Sequence, residues 1–174
     1  MVFVELAVKL MPLKFCKKFS LSLRAHNEED IPDAKSLSFA IVISNWNPNI
    51  TKSLFKGAYD TLIKYGAKAN SIETYDVPGS FELIYGAKVA SRNSPDVIIC
   101  IGSVIKGKTK HFDFVCNAVA NGIKDLNLQL NIPVIFGVLT DNTMNQAISR
   151  SGGEYGNKGV EAAITAIKMA VLNK

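Results

Sequence analysis

His111 is one of only two histidines in this 174-residue chain, and it closes the run Lys106-Gly107-Lys108-Thr109-Lys110-His111, where three lysines alternate with a glycine and a threonine. An imidazole can both give and take a proton near neutral pH, and cationic neighbours suit an anion. A lone histidine is more often structural, but this basic, hydroxyl-bearing setting favours proton transfer. Trp46, the only tryptophan, stands in Ser44-Asn45-Trp46-Asn47. Its broad π-face could stack on a heteroaromatic ring or simply pack under a following helix. Gly79, Gly102 and Gly107 each follow an apolar run. Glycines there allow positive φ and close approach of a ligand to backbone N–H groups, although turn chemistry alone explains any single one of them.

One spacing demands a decision. Gly102-Ser-Val-Ile-Lys-Gly107-Lys108-Thr109 satisfies the phosphate-loop pattern GxxxxGK[ST], and it lies between an apolar run and a helical segment, as that motif requires. A small nucleotide-binding protein is therefore the runner-up. Three features oppose it. The loop interior, Val104-Ile105-Lys106, is bulky where small residues should let N–H groups wrap a phosphate. The match falls on the third of four strand-like runs. The aspartate after the fourth, Asp141, follows Phe-Gly-Val-Leu-Thr rather than a clean apolar run.

The elements that must position these residues begin at Leu37. Short β-branched runs occur at Phe39 to Ile43, Ala69 to Val77, Val97 to Ile101 and Val134 to Leu139. Three are almost wholly apolar, as strands covered on both faces should be; the second alternates and suits an edge. Between them lie segments of helical period. The first runs from about Asn49 to Tyr65, with Leu54, Ala58, Leu62 and Tyr65 on one face; Asn47-Pro48 reads as a cap-plus-proline start and Gly66 as its stop. The second spans roughly Phe81 to Ser91. The third spans Thr109 to Leu128 with a stripe of Phe112, Val115, Cys116, Val119, Ile123 and Leu126. Thr143 caps a short helix with Met144, Ala147 and Ile148 inward. A last helix from about Asn157 buries Val160, Ala163, Ile164, Ile167 and Val171. The order βαβαβαβαα predicts one α/β domain over residues 37–174, a four-stranded parallel sheet with helices on both faces. In such a sheet ligands bind beyond the carboxyl ends of the strands, which selects the loops at 44–47, 78–82, 102–111 and 136–141.

Bulk composition narrows the function classes. The net charge is +5, but the first 25 residues carry +4 of it, so no basic nucleic-acid-binding face is expected on the folded part. Three cysteines without a CxxC argue against a disulfide framework or a zinc site; Cys100 and Cys116 lie in apolar runs and are read as buried and reduced, which fits the cytoplasm. No apolar run reaches the ~20 residues of a membrane span. Residues 1–36 read as a flexible N-terminal extension. They resemble a transit peptide only weakly, and an early start with Met11 or a later residue as the true beginning is the alternative.

Taken together, Val77-Pro-Gly-Ser-Phe-Glu82, Gly102-Ser-Val-Ile-Lys-Gly107 with Thr109 and His111, Pro133-Val-Ile-Phe-Gly137 and Gly156-Asn-Lys-Gly159 resemble the lumazine synthase family, in order and spacing, from about Ser38 to Leu172. The resemblance implies a flavodoxin-like three-layer sandwich. It also implies condensation of 5-amino-6-ribitylamino-uracil with 3,4-dihydroxy-2-butanone 4-phosphate to 6,7-dimethyl-8-ribityllumazine, the penultimate step of riboflavin biosynthesis, by a transferase with no metal and no cofactor. On the matching positions it implies Trp46 stacking on the pyrimidine beside Asn47. Gly79, Ser80, Phe81 and Glu82 would hold the ribityl chain, and Ser103, Val104 and Ile105 would read the pyrimidine edge. Lys108, Thr109 and Arg150 would bind phosphate, His111 would shuttle protons, and Lys158 would complete the pyrimidine site. Phe136 would be supplied by an adjacent subunit. Trp46 stands where many relatives have Phe, Lys106 where many have Arg, and Lys108 replaces a smaller residue and creates the phosphate-loop pattern. The implied partners are the two substrates, further copies of the chain in a homopentamer, and riboflavin synthase. The short connection from Arg150 to Lys158 permits an icosahedral capsid of twelve pentamers. A non-catalytic flavin-binding or shell protein on the same fold is the competing class; the presence of Glu82, Thr109, His111, Arg150 and Lys158 weighs against it.

Overall fold

The computed structural model describes residues 30–172. Four parallel strands form the central sheet: β1 (Phe39–Ser44), β2 (Ile72–Val77), β3 (Val97–Ile105) and β4 (Val134–Asp141), in the order β2-β1-β3-β4. The helices are α1 (Pro48–Lys64), α2 (Leu83–Ala90), α3 (His111–Gln129), α4 (Met144–Arg150) and α5 (Lys158–Leu172), and a small antiparallel hairpin of β5 (Ser151–Gly153) and β6 (Gly156–Asn157) separates the last two.

Two apolar layers follow from the period-two alternation of the strands. Phe39, Ile41, Ile43, Ile99, Ile101 and Leu139 pack against α1 and α5. Ala40, Val42, Ile98, Cys100 and Val138 pack against α2 and α3. All six β1 residues are buried because the strand is internal and covered on both faces. The alternating second run is indeed an edge strand, whose Glu73, Thr74 and Asp76 face solvent. That strand begins at Ile72, since Ala69–Ser71 form a 3-10 turn. Ahead of β1, Ala34 is buried and its N–H donates to the Tyr65 carbonyl at 2.8 Å. Of the extension expected to be flexible over residues 1–36, residues 1–29, with Cys16, lie outside the described residues.

Four local expectations are corrected. Asn47 makes no side-chain cap on α1; it sits in the left-handed region at φ 56° and uses its amide elsewhere. Of Met144, Ala147 and Ile148, only Ala147 is buried, while Met144 and Ile148 are exposed on the seven-residue α4. The inward stripe of α5 is Gly159, Ala162, Ala163, Ala166, Ile167 and Ala170, while Val160 and Ile164 are half-buried and Val171 is exposed. The cause is close approach: a Cβ on Gly159 would lie 1.9 Å from the Leu54 carbonyl oxygen of α1, and one on Gly137 of β4 would lie 3.3 Å from Ala162 Cβ. Small residues are selected at such a contact and branched ones fall to its flanks. Cys116 is half-buried, not buried; Cys100 is fully buried, which pushes its thiol pKa up to about 12. Thr143, by contrast, caps α4 as expected, in a reciprocal capping box with Gln146.

Candidate functional site at the carboxyl ends of the strands

At the end of β1, the buried Ser44 hydroxyl accepts the Trp46 N–H at 3.2 Å, a tight serine turn that throws the indole outward; Trp46 is 69% exposed. Asn47 then reverses the chain into α1, and its Nδ2 donates to the Ser103 carbonyl at 3.1 Å. The first and third loops are thereby joined by a side chain. After β2, Ser80 is buried and Phe81 is 54% exposed, in the turn ahead of α2 rather than on it. A Cβ on Gly102 would lie 2.7 Å from Ser80 Oγ and 2.9 Å from Leu83 Cδ1. Gly102 is therefore glycine for space, and its absence of side chain lets the second loop close over β3. Gly79 stands beside the Glu82 carboxylate in the same way, its Cβ position 2.8 Å from Oε2. Gly107 has neither a positive φ nor a neighbour within 4 Å, so nothing in the fold requires glycine there.

The strand β3 runs on through Ile105, four residues beyond the expected end. Gly102 to Ile105 are paired in register with Val138 to Asp141 of β4. An extended backbone committed to a ladder cannot wrap its N–H groups around a phosphate, so the phosphate-loop match is a coincidence of letters. What remains for an anion is the exposed loop from Lys106 to Lys110, which opens α3 at His111; the His111 N–H approaches Thr109 Oγ1 at 3.4 Å. Its start is fixed by the Lys106 N–H, which donates to the Asp141 carbonyl at 2.9 Å.

Two cations stand on the α1/α5 side. Arg150 ends α4 and Lys158 opens α5, with the β5–β6 hairpin between them. Lys158 Nζ pairs with Glu161 Oε2 at 2.8 Å, a partner that only the helix phase, i to i+3, announces in the sequence. Arg150 is near enough to Asp141 to favour its carboxylate, although burial wins and raises the Asp141 pKa. The side-chain oxygens Ser80 Oγ, Ser103 Oγ and Asp141 Oδ2 are buried with no hydrogen-bond partner. All three lie at the carboxyl ends of the strands or in the loop just beyond. Buried polar atoms left unpaired carry a cost, and these three gather at one end of the sheet.

Within one protomer the predicted residues fall into two groups. Trp46, Asn47, Ser103, Ile105, Arg150 and Lys158 belong to the α1/α5 side. Gly79, Ser80, Phe81, Glu82, Val104 and His111 belong to the α2/α3 side, with Lys108 and Thr109 in the loop between β3 and α3. Phe136, on the edge strand β4 and paired with Cys100, packs on the α2/α3 side away from the strand ends, half-buried in an open recess of about 240 Å³ with Ala120, Ile123, Lys124, Asn127 and Val134. The residue that sequence reasoning overlooked is Asp141 in its own right; its only signal was a polar residue ending an apolar strand. No group of three or more His, Cys, Asp or Glu among the described residues could hold a metal ion, and no helix among them is long and apolar enough to cross a membrane.

Parallel strands in the order 2-1-3-4, with exposed aromatics and unpaired hydroxyls gathered at their carboxyl ends, define a doubly wound α/β protein, a class in which ligands bind at the strand ends. Residues 36–174 match the family model described as 6,7-dimethyl-8-ribityllumazine synthase. The chain is 54% identical to the protein of that name from Christiangramia forsetii, covering 88% of this chain and 92% of the relative. It is 55% identical to that from Flavobacterium johnsoniae, over 88% and 81%, and 56% identical to that from Bacteroides fragilis, over 76% and 94%. The chain belongs to the 6,7-dimethyl-8-ribityllumazine synthase family, and it is a transferase of riboflavin biosynthesis.

Proposed function

We propose that the loops capping this sheet condense 5-amino-6-ribitylamino-uracil with 3,4-dihydroxy-2-butanone 4-phosphate. The observation that carries the site assignment is the set of unpaired buried hydroxyls, Ser80 Oγ and Ser103 Oγ, flanked by the exposed rings of Trp46 and Phe81. A flat ring with polar edges and a polyhydroxyl tail satisfies such a surface: the ring stacks on Trp46, its edge reads the Ser103-Val104-Ile105 strand end beside Asn47, and the ribityl hydroxyls reach Gly79, Ser80, Phe81 and the Glu82 carboxylate. Lys108, Thr109 and Arg150 take the phosphate, the arginine as a planar fork. Lys158 completes the pyrimidine side.

The amine of the pyrimidine attacks the ketone and water leaves, giving an imine. Loss of a carbon-bound proton with departure of inorganic phosphate follows, and the second amine closes the ring with loss of water. His111 at the start of α3 moves these protons, and holding both substrates in register contributes much of the rate. The separation of the site residues over two faces of one protomer, with Phe136 against α3 and away from the strand ends, supports a site completed by a neighbouring subunit in a homopentamer, with Phe136 supplied across the contact. Assembly into a capsid, association with riboflavin synthase and a cytoplasmic location belong to the same reading.

Mixing the protein with both substrates and following lumazine fluorescence together with phosphate release tests it. Product and phosphate are expected in equal amounts. Folded protein that binds the pyrimidine yet yields neither would leave a non-catalytic flavin-binding or shell protein. Light scattering tests the assembly, and a particle of single-chain mass would exclude the shared site.

A further inference from the structure

The loop that carries Arg150 and Lys158 has no large apolar anchor: across Ser151-Gly-Gly-Glu-Tyr-Gly-Asn157 the one bulky side chain, Tyr155, is exposed. Something else must hold it. Asn157, half-buried, spends its whole side-chain amide on the task. Its Nδ2 donates to the Ser53 carbonyl of α1 at 3.0 Å and to the Ser151 carbonyl at 3.3 Å, and its Oδ1 accepts the Gly159 N–H at 2.8 Å. The Ser53 hydroxyl donates to the same Ser151 carbonyl. The residue after Arg150 and the residue before Lys158 are thus tied to each other, to the first turn of α5 and to α1.

Two glycines are cut to this fit. A Cβ on Gly57, one turn beyond Ser53, would lie 2.6 Å from Asn157 Cγ and 2.7 Å from both Nδ2 and Oδ1. Gly159 clears the Leu54 carbonyl, as described above. Gly57 is an interior residue of a 17-residue helix, where alanine would otherwise favour the helix. Its glycine is explained by the amide that lies against it.

We infer that Asn157, seated on Gly57, is a positioning residue that sets Arg150 for the sugar phosphate and Lys158 for the pyrimidine in register with α1. The inference rests on the anion role proposed for Arg150. Asn157 does not itself touch the reacting atoms; it acts by holding the hairpin to the helix that begins beside Trp46.

The test compares Asn157→Ala, Gly57→Ala and their double variant with the parent in the fluorescence assay, in assembled protein shown to be folded by circular dichroism. Each single variant is expected to raise KM for the butanone phosphate about tenfold, as a misplacement on the ångström scale would. Pyrimidine affinity, read from Trp46 fluorescence, is expected to fall less, about threefold, because Lys158 on the pyrimidine side is held by the same tie. The double variant is expected to be no worse than Asn157→Ala alone, because the Gly57 methyl then enters the space the amide leaves. A merely structural role would lower thermal stability and leave these KM values in place. Folded Asn157→Ala with the parental KM, or singles whose effects simply multiply in the double, would overturn the inference. Arg150→Ala measured alongside separates the two readings. If it too leaves KM unchanged, the anion assignment fails and the positioning role fails with it; if it raises KM while Asn157→Ala does not, the positioning role alone is lost.

Discussion

Asn47 and Ser103 are joined across the top of the sheet: the asparagine turns the chain in the left-handed region at φ 56° and in the same conformation donates Nδ2 to the Ser103 carbonyl at 3.1 Å. One residue therefore shapes the loop that exposes Trp46 and staples it to the strand end proposed to read the pyrimidine. Asn47→Gly keeps the backbone conformation and removes the bond; Asn47→Ala removes both. Pyrimidine affinity, followed through Trp46, is expected to fall about fivefold to tenfold in either, the loss of one hydrogen bond. Denaturant midpoints should differ, with alanine costing roughly 1 kcal/mol more than glycine for its left-handed backbone. Unchanged affinity in Asn47→Gly would remove the bond from the binding site.

His111 opens α3 and is exposed. His111→Ala is expected to slow turnover about a hundredfold, the lower range of general acid–base contributions. The pyrimidine should still quench Trp46 with nearly parental affinity. Full turnover in the alanine variant would transfer the proton work to another group.

Asp141 ends β4 buried, with Oδ2 unpartnered, and burial raises its pKa while Arg150 pulls it part of the way back. A carboxyl whose folded pKa stands above its unfolded value destabilises the fold when ionised. The cost is absent below the ordinary carboxylate pKa, grows as pH rises through the window up to the raised value, and is constant above it. Asp141→Asn should accordingly stabilise the protein at neutral pH, and the gain should vanish on acidification below about pH 4. Denaturant unfolding of both proteins across that range reads the difference. A gain independent of pH would assign it to something other than the charge.

The α1–α5 crossing runs through Gly159, where a Cβ would meet the Leu54 carbonyl at 1.9 Å. Both are backbone-bound groups, so no side-chain rotation relieves the clash. Gly159→Ala is expected to cost about 3 kcal/mol or to prevent folding. Gly107→Ala, with nothing within 4 Å, should stay within about 0.5 kcal/mol. Urea midpoints compare them directly, and equal stability of the two variants would mean that the helices separate at little cost.

From the sequence alone came the order of the four sheet strands and five helices, the edge position of β2, the buried runs of β1 and β3, the Thr143 cap and the loops that stand at the carboxyl ends of the strands, though not the β5–β6 hairpin. These are legible because they depend on local period and on residues a few positions apart, and because parallel strands leave their ligand loops at one end. Tertiary structure alone decided the rest. It carried β3 through Ile105 by pairing it with β4, which dissolved the phosphate-loop match. It turned the alanine stripe of α5 inward in place of the larger Val160, Ile164 and Val171, and it set Asn157 against Gly57. Each of these outcomes is governed by how closely two distant segments approach. Such distances depend on the volume left between packed backbones, and no window of the chain contains both sides of that gap.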